Sequence, residues 1–250
     1  MPGSPPRAVA RLRNAWRRLR GGLPVRGGPV SPEVPNDLFQ AHAAVYVFAA
    51  RYAAGRRVLD LGCGSGYGAA RLAAAGANEV VGLDLDPRLI GYAGRRFAGP
   101  RVAFTTADAT AIPGPLGSFD LVVAGNLLAH LERPGEAVAA AGRAMAGDGD
   151  FVASVPPITS DRLMEAQRAA GVHRAPLYLW DWESLLRDHF DELRLFRLEA
   201  PPEARLDFAD PRPSRLRAED FRAEEVPLAR LTTLAGPTAV FVASRPRAAP

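Results

Sequence analysis

Residues 58–68 read VLDLGCGSGYG, an apolar run that passes directly into alternating glycines. Glycine adopts positive φ angles without strain and lets a ligand approach the backbone, because it has no Cβ. A helical pattern begins at residue 67, so the N–H groups of its first turn face the loop and favour an anionic ligand. The stretch therefore predicts a strand–loop–helix unit with a ligand site at the end of the strand.

Strand patterns and helical patterns alternate along the rest of the chain. Candidate strands lie at 57–61, 79–84, 101–106, 119–124 and 150–155, and the helices between them lie at 67–75, 87–98 and 134–146. A helix is predicted before them at 37–54, and after them a helix at about 180–190 and strands at 192–198 and 238–243. Strands that are apolar on both faces and separated by helices are typical of a parallel sheet covered on both sides. The pattern predicts one α/β domain over residues 37–250.

Two segments stand outside this alternation. Residues 200–230 are rich in Pro, Arg and acids and are predicted to form an irregular insertion, whose length is typical of a lid or a partner surface. Residues 1–36 form a basic leader rich in Pro, Gly and Arg, with one helical face made of Val9, Leu12, Trp16 and Leu19. We interpret the leader as a partly ordered extension or a helix that caps the domain, with a helix on an anionic membrane surface as the alternative.

Composition narrows the class of protein. The first 30 residues hold seven arginines and no acid, so the rest of the chain carries 24 arginines against 27 acids and gives no electrostatic case for nucleic-acid binding. The sequence has no lysine, which excludes a Schiff-base cofactor. Cys63 is the single cysteine, and no Cys/His spacing is typical of zinc. No stretch of about 18 apolar residues occurs either, so the sequence predicts no membrane span. We therefore expect a cytoplasmic protein, and we expect it to bind no metal.

Three acids lie near the carboxyl ends of the first three predicted strands. Asp60 precedes the first glycine by two residues, where its carboxylate suits a ligand with an ammonium group. Dinucleotide sites use a G-x-G-x-x-G loop that holds pyrophosphate, so a carboxylate at this position disfavours a nicotinamide-dependent oxidoreductase. Asp84 ends the second strand, where an acid accepts hydrogen bonds from ribose hydroxyls. Asp108 follows the third strand and can accept a hydrogen bond from an adenine amino group.

These residues resemble the class I S-adenosylmethionine-dependent methyltransferases, which also have an F-D-x-V fourth strand like Phe119–Val122 here. The resemblance implies a doubly wound, Rossmann-like sheet of seven strands in the order 3-2-1-4-5-7-6, with the last strand antiparallel. It implies S-adenosylmethionine as the cofactor, with ribose bound by Asp84 and adenine by Leu85, Asp108 and Ala109. The methionine portion would be held by Asp60, Gly62, Cys63, Gly64, Gly66 and Asn126.

The acceptor side is indicated by a weaker similarity to bacterial methyltransferases of sugar and polysaccharide synthesis. It covers residues 40–46, residues 66–68, His173, residues 182–186 and Phe190, although Val45 stands where an arginine is often found. The similarity favours O-methylation of a sugar or a secondary metabolite, that is, a small-molecule acceptor. The alternatives are N- or C-methylation of a natural product and a non-catalytic S-adenosylmethionine-binding partner protein.

A hydroxyl acceptor needs a base, and histidine is the side chain best matched to neutral pH. His130 lies six residues past the fourth strand, and His173 lies in the link before the sixth, so both are candidate catalytic bases. For each of them, packing is the competing interpretation. His42 is a weaker candidate, His189 is expected to be solvated, and Tyr46 and Tyr178 are expected to pack.

Overall fold

The computed structural model describes residues 30–247, so the predicted helical face of the leader lies outside the described residues. The described part forms an eight-stranded sheet with the strand order β3-β2-β1-β4-β5-β8-β6-β7. The strands are β1 Arg57–Leu61, β2 Glu79–Asp84, β3 Val102–Thr106, β4 Phe119–Ala124, β5 Met145–Val155, β6 Phe190–Glu199, β7 Arg222–Val226 and β8 Thr238–Pro246. The α-helices are α1 Asp37–Ala49, α2 Tyr67–Ala74, α3 Pro87–Phe97, α4 Pro134–Ala144, α5 Asp161–Ala170 and α6 Leu179–Arg187.

The sheet confirms the predicted topology. Strands β1 to β5 are parallel, and β8 pairs antiparallel with both β5 and β6. With β7 set aside, the order matches 3-2-1-4-5-7-6, in which β8 is the antiparallel last strand. The carboxyl ends of β1, β2, β3 and β4 therefore meet at one edge of the sheet, and this edge is where ligands bind in open α/β sheets.

The eighth strand, β7, lies within the segment that was predicted to be an irregular insertion. It pairs antiparallel with β6 at the edge of the sheet. Its sequence is Arg-Ala-Glu-Glu-Val, and its only partly buried apolar residues are Ala223 and Val226. A charged edge strand shows little of the apolar alternation by which strands are recognised. The predicted strand count of seven is therefore one short, while residues 200–217 lack regular secondary structure.

Helix α5 was also missed by the sequence patterns. Ser160 caps its N-terminus by accepting from the Leu163 N–H, and Gly171 ends it in the left-handed conformation. Met164 is its one buried residue, so the helix has no apolar stripe of the kind that predicts an amphipathic helix. Its position matters because it leads directly into the link that carries His173.

Two apolar layers cover the sheet. One contains residues of α4 and α6, with Trp182 fully buried, and the other contains residues of α1 and α2, with Val45 and Phe48 buried. Helix α1 is predicted at 37–54 and instead gives way to a 3-10 turn at Ala50–Tyr52. Because α1 packs on the face beside β1 and β4, its residues reach the carboxyl edge of the sheet. Across residues 30–247, every helix is too short or too polar to cross a bilayer.

Candidate functional site

The glycine loop after β1 has the backbone that its sequence predicts. Gly62, Gly64 and Gly66 have φ angles of +66°, +55° and +84°, a region that disfavours other residues. A Cβ on Gly62 would lie 2.6 Å from Leu127, and one on Gly66 would lie 2.6 Å from Ala93. Any side chain at either position would therefore clash with its neighbour. No atom lies within 4 Å of the position that a Cβ on Gly64 would take, so a ligand can approach the loop there.

Cys63 fixes the loop through its main chain and packs with its side chain. Its N–H donates to the Leu83 carbonyl (3.0 Å), and its carbonyl accepts from the Gly66 N–H (2.9 Å). The thiol lies against Gly82 and is buried, and burial raises its pKa. Cys63 therefore stays a neutral thiol and shapes the loop.

Asp84 joins the end of β2 to the glycine loop. Its Oδ2 accepts from the Gly64 N–H (2.9 Å), and its Oδ1 accepts from the Asp86 N–H (2.9 Å). Asp84 does not cap the next helix, because Asp86 caps α3 by accepting from the Arg88 N–H. Each oxygen of Asp84 retains a second lone pair, so the carboxylate can still accept from a ligand.

Asp60 is fully buried and only half satisfied. The Tyr46 hydroxyl donates to its Oδ1 (3.0 Å), and its Oδ2 has no hydrogen-bond partner among residues 30–247. The pKa of this carboxyl is raised to about 7: burial and the nearby charge of Asp84 raise it, whereas the Tyr46 hydrogen bond and the Ala69 N–H lower it. A buried carboxylate with a free oxygen is costly unless a positive donor completes it. The ammonium of an amino-acid ligand fits that requirement.

Leu85, Asp108 and Ala109 lie on the adjoining part of the edge. The Ala107 N–H donates to the Asp84 carbonyl (3.1 Å), which holds the end of β3 beside Asp84. Leu85 is 69% exposed, an unusual position for a large apolar side chain and one that suits a flat ring. Asp108 uses Oδ1 to cap its own turn, accepting from the N–H and the hydroxyl of Thr110 (both 2.8 Å), while Ala109 is buried.

Asn126 completes the edge on the other side of the loop. It has a φ of +55°, in the left-handed region that asparagine adopts more readily than most residues, and its N–H donates to the Ser154 hydroxyl (2.8 Å). Its side-chain amide nitrogen is buried without a partner in the described part of the chain. A buried donor without a partner is costly unless a ligand or water completes it. Asn126 can therefore donate to a ligand carboxylate.

Three histidines that are far apart in the sequence come together beside this edge. The rings of His130 and His173 lie 4.9 Å apart, centroid to centroid. His42 of α1 is close enough that both of them depress its pKa, which burial lowers first, to about 3. Burial and the charge of His130 lower the pKa of His173 to about 4, and burial lowers that of His130. All three imidazoles are therefore neutral at neutral pH.

The hydrogen bond of His130 identifies which of its nitrogens is available. Its Nδ1 lies 3.2 Å from the main-chain carbonyl of Val172, and a carbonyl can only accept, so Nδ1 carries the proton. Nε2 then has a free lone pair, which is the arrangement of a general base. His173 contacts the Gln167 side-chain oxygen through Nδ1 (2.8 Å). No group of His, Cys, Asp and Glu suited to a metal occurs within residues 30–247.

Two residues take positions that sequence reasoning did not give them. Tyr46 was expected to pack, and it also donates to Asp60; the one signal for this was the need of a buried carboxylate for a donor. His189 is half-buried and lies at the amino end of β6, where its carbonyl accepts from the Arg247 N–H (2.8 Å). That is the opposite edge of the sheet from the site.

Comparison with known proteins places the glycine loop and its acids in a family. Residues 58–149 match the model of a methyltransferase domain. A probable S-adenosylmethionine-dependent methyltransferase of Mycolicibacterium smegmatis is 34% identical over 140 residues, which are 55% of this chain and 53% of that protein. The match thus spans about half the length of the relative.

Solved structures share the fold over nearly the whole chain. A SAM-dependent methyltransferase of Thermotoga maritima, described as a possible histamine N-methyltransferase, superposes with a TM-score of 0.60 at 15% identity and covers 96% of this chain and 98% of its own. The magnesium protoporphyrin IX methyltransferase of Synechocystis, solved with bound SAH, gives a TM-score of 0.54 at 18% identity and covers 94% of both chains. Residues 58–149 thus match a methyltransferase domain, and the sheet that contains them has the fold of solved S-adenosylmethionine-dependent methyltransferases.

Proposed function

We propose that this chain is an S-adenosylmethionine-dependent methyltransferase that methylates a hydroxyl group of a small molecule, with a sugar or a secondary metabolite as the acceptor class. The observation that carries the hydroxyl assignment is the His130 hydrogen bond to the Val172 carbonyl, which leaves Nε2 as a free base. That base lies past the carboxyl end of β4, on the edge of the sheet that also carries the glycine loop.

The residues of the edge fit the cofactor in order. Asp84 would accept from the ribose hydroxyls, Leu85 would pack on the adenine ring, and Asp108 with Ala109 would border the adenine amino group. The free oxygen of Asp60 and the amide of Asn126 offer an acceptor and a donor, which match the ammonium and the carboxylate of the methionine end. When bound, the cofactor supplies a methyl group on a positively charged sulfur.

In this proposal His130 moves one proton. Its Nε2 accepts the proton of the acceptor hydroxyl as the oxygen becomes a nucleophile, and its Nδ1 stays bonded to the Val172 carbonyl, which stabilises the imidazolium. His173 lies beside it and is hard to protonate, so the pair takes up a single proton. The backbone of the glycine loop and Asn126 contribute alignment, which requires the reacting atoms to lie about 3–3.5 Å apart and in line.

The acceptor class rests on the histidines and on the similarity of the flanking segments to sugar-associated methyltransferases. Neutral imidazoles accept hydrogen bonds from hydroxyl groups and give a poor site for a charged group. The amine and the porphyrin named for the structural neighbours belong to those proteins, at less than 20% identity.

Incubation with labelled S-adenosylmethionine and extracts of small molecules and glycans, followed by identification of the labelled product, tests the proposal. We expect label on an oxygen of a polyhydroxylated or phenolic product. Label on nitrogen or carbon would overturn the hydroxyl assignment in favour of N- or C-methylation. Tight binding of S-adenosylhomocysteine without transfer to any extract would instead indicate a non-catalytic binding partner.

A further inference from the structure

We infer that Tyr46 is a positioning residue of the cofactor site, whose hydroxyl holds one oxygen of Asp60 so that the other oxygen faces the ammonium group of the bound cofactor. The inference rests on the proposed cofactor. It adds a residue from α1, a helix outside the segment that matches the methyltransferase domain.

The position of Tyr46 is fixed by contacts with three further elements. Its side chain is 2% exposed, and its hydroxyl donates to Asp60 Oδ1 at 3.0 Å. A Cβ on Gly68, in the first turn of α2, would lie 2.2 Å from the ring, and one on Gly125, after β4, would lie 2.9 Å from the hydroxyl oxygen. Tyr67 packs edge-on against the ring, with centroids 5.4 Å apart. Two glycines and an aromatic ring therefore form a close-fitting seat for this side chain.

The direction of the hydrogen bond follows from burial. Burial and the nearby Asp60 raise the pKa of the Tyr46 phenol, so Tyr46 keeps its proton and can only donate it to the carboxylate. Held in this way, Asp60 cannot turn its free oxygen away without losing its one side-chain donor. The buried Oδ2, which has no partner in the described part of the chain, thus points to a ligand at this place.

Within residues 30–247, the titratable groups that face Asp60 supply no cation. They are Tyr46 from α1, Tyr67 from the start of α2, Cys63 in the loop and Asp84 at the end of β2. The first three are neutral because burial raises their pKa values, and the fourth is an acid. Residues 30–247 thus offer Asp60 no positive charge, and an ammonium group of the ligand matches it in charge and in hydrogen-bonding capacity.

Binding should then depend on the protonation of Asp60. The carboxyl must be ionised to pair with an ammonium, and its pKa is raised to about 7, so affinity should fall as the pH drops below that value. The Tyr46 hydrogen bond lowers this pKa. Removing the hydroxyl should therefore move the fall in affinity to a higher pH.

The experiment compares two probes by calorimetry: S-adenosylhomocysteine, which carries the amino-acid end, and 5′-methylthioadenosine, which lacks it. For Tyr46→Phe we expect affinity for S-adenosylhomocysteine to fall about tenfold at pH 7.5, the loss typical of a hydrogen bond to a charged group. Affinity for 5′-methylthioadenosine should be unchanged, and the pH midpoint for S-adenosylhomocysteine should rise. Tyr52→Phe is the matched control, because Tyr52 packs on Phe48 in the 3-10 turn after α1 and should bind both probes as the wild type does.

Two further variants test whether Tyr46 acts through Asp60. Asp60→Asn should weaken the binding of S-adenosylhomocysteine but not that of 5′-methylthioadenosine. The variant that combines Tyr46→Phe with Asp60→Asn should bind S-adenosylhomocysteine no more weakly than Asp60→Asn does. Additive losses, or equal weakening of both probes, would overturn the positioning role, as would wild-type affinity in Tyr46→Phe. If the wild-type protein failed to bind S-adenosylhomocysteine, both the proposed function and this inference would be contradicted. If the wild type bound S-adenosylhomocysteine and Tyr46→Phe bound it equally well, only the role of Tyr46 would be contradicted, and the proposed function would stand.

Discussion

The imidazole rings of His130 and His173 face each other at 4.9 Å with an angle of 57° between their planes. The two rings are fixed from the same segment, because the carbonyl of Val172 accepts from His130 and the oxygen of Gln167 contacts His173. A positive charge on one ring disfavours a charge on the other. The pair can therefore take up one proton during turnover and return it to solvent afterwards.

For His130→Ala, we expect turnover to fall by about 10²- to 10⁴-fold, the usual contribution of a general base, with affinity for S-adenosylhomocysteine unchanged. Because burial lowers the pKa of His130, the acidic limb of the wild-type rate profile should lie below the ordinary imidazole value, and the variant should lack that limb. Steady-state rates between pH 5 and 9 measure both effects. His189→Ala, at the far edge of the sheet, is the control. A small loss with an unaltered profile would mean that His130 packs and that the base lies elsewhere.

Asp84→Ala removes a carboxylate that would bind ribose and that also holds the Gly64 N–H. We expect cofactor binding to weaken by about 1.5–3 kcal/mol, or roughly 10- to 100-fold. Calorimetry with S-adenosylhomocysteine measures the change, and Asp191→Ala serves as a control because Asp191 pairs with Arg247 on the opposite edge. An unchanged dissociation constant in a folded Asp84→Ala protein would exclude Asp84 from the site.

Asp60→Asn should stabilise the ligand-free protein and at the same time weaken the binding of S-adenosylhomocysteine. The folded-state pKa of Asp60 is raised to about 7, so the unfolded chain loses its proton at a lower pH than the folded one. The wild type therefore loses stability as the pH rises from about 4 to about 7, and the asparagine variant does not. We expect the difference in melting temperature to be largest above pH 7, as measured by calorimetric melting. A variant that melts lower than the wild type at pH 8 would contradict the burial cost assigned to the carboxylate.

Gly68→Ala and Gly94→Ala place the same methyl group in two very different surroundings. At Gly68 the Cβ would lie 2.2 Å from the Tyr46 ring, and the ring cannot withdraw because Gly125 lies behind its hydroxyl. We expect that variant to be destabilised by about 1–3 kcal/mol, as in other overpacked cores. Gly94 lies in α3 with no neighbour within 4 Å, so alanine should stabilise it by about 0.5–1 kcal/mol. Denaturant unfolding measures the free energy of unfolding of both variants. If Gly68→Ala were as stable as Gly94→Ala, the close packing of Tyr46 against Gly68 would be contradicted.

The sequence predicts the central sheet well because its strands are apolar on both faces. The observed bounds of β1, β2 and β4 coincide with the predicted ones, and β3 begins one residue later than expected. Elements that bury little are harder to predict: α5 buries only Met164, and β7 carries three charged residues out of five. Strand β5 begins at Met145 rather than at 150, because its first residues pair with Phe119 across an irregularity in register.

The site divides in the same way. Asp60, Asp84 and the loop glycines follow from local spacing along the chain, so a sequence motif predicts them. The contact between His130 and Val172 joins residues 42 apart, and the tyrosine that holds Asp60 lies 14 residues upstream in another element. Contacts of this kind depend on how the helices pack on the sheet, and packing leaves no periodic signal in one sequence.

Strand β7 has a consequence for the behaviour of the whole molecule in concentrated solution. Without it, the ten-residue strand β6 would present a row of free N–H and C=O groups, which is a template for pairing with another chain. In its place the molecule presents a short strand whose glutamates are engaged by arginines of β6: Arg194 with Glu225 and Arg197 with Glu224, both at 2.5 Å. The charged strand therefore covers residues 195–199 of β6, the half with which it pairs, against edge-to-edge pairing with another chain.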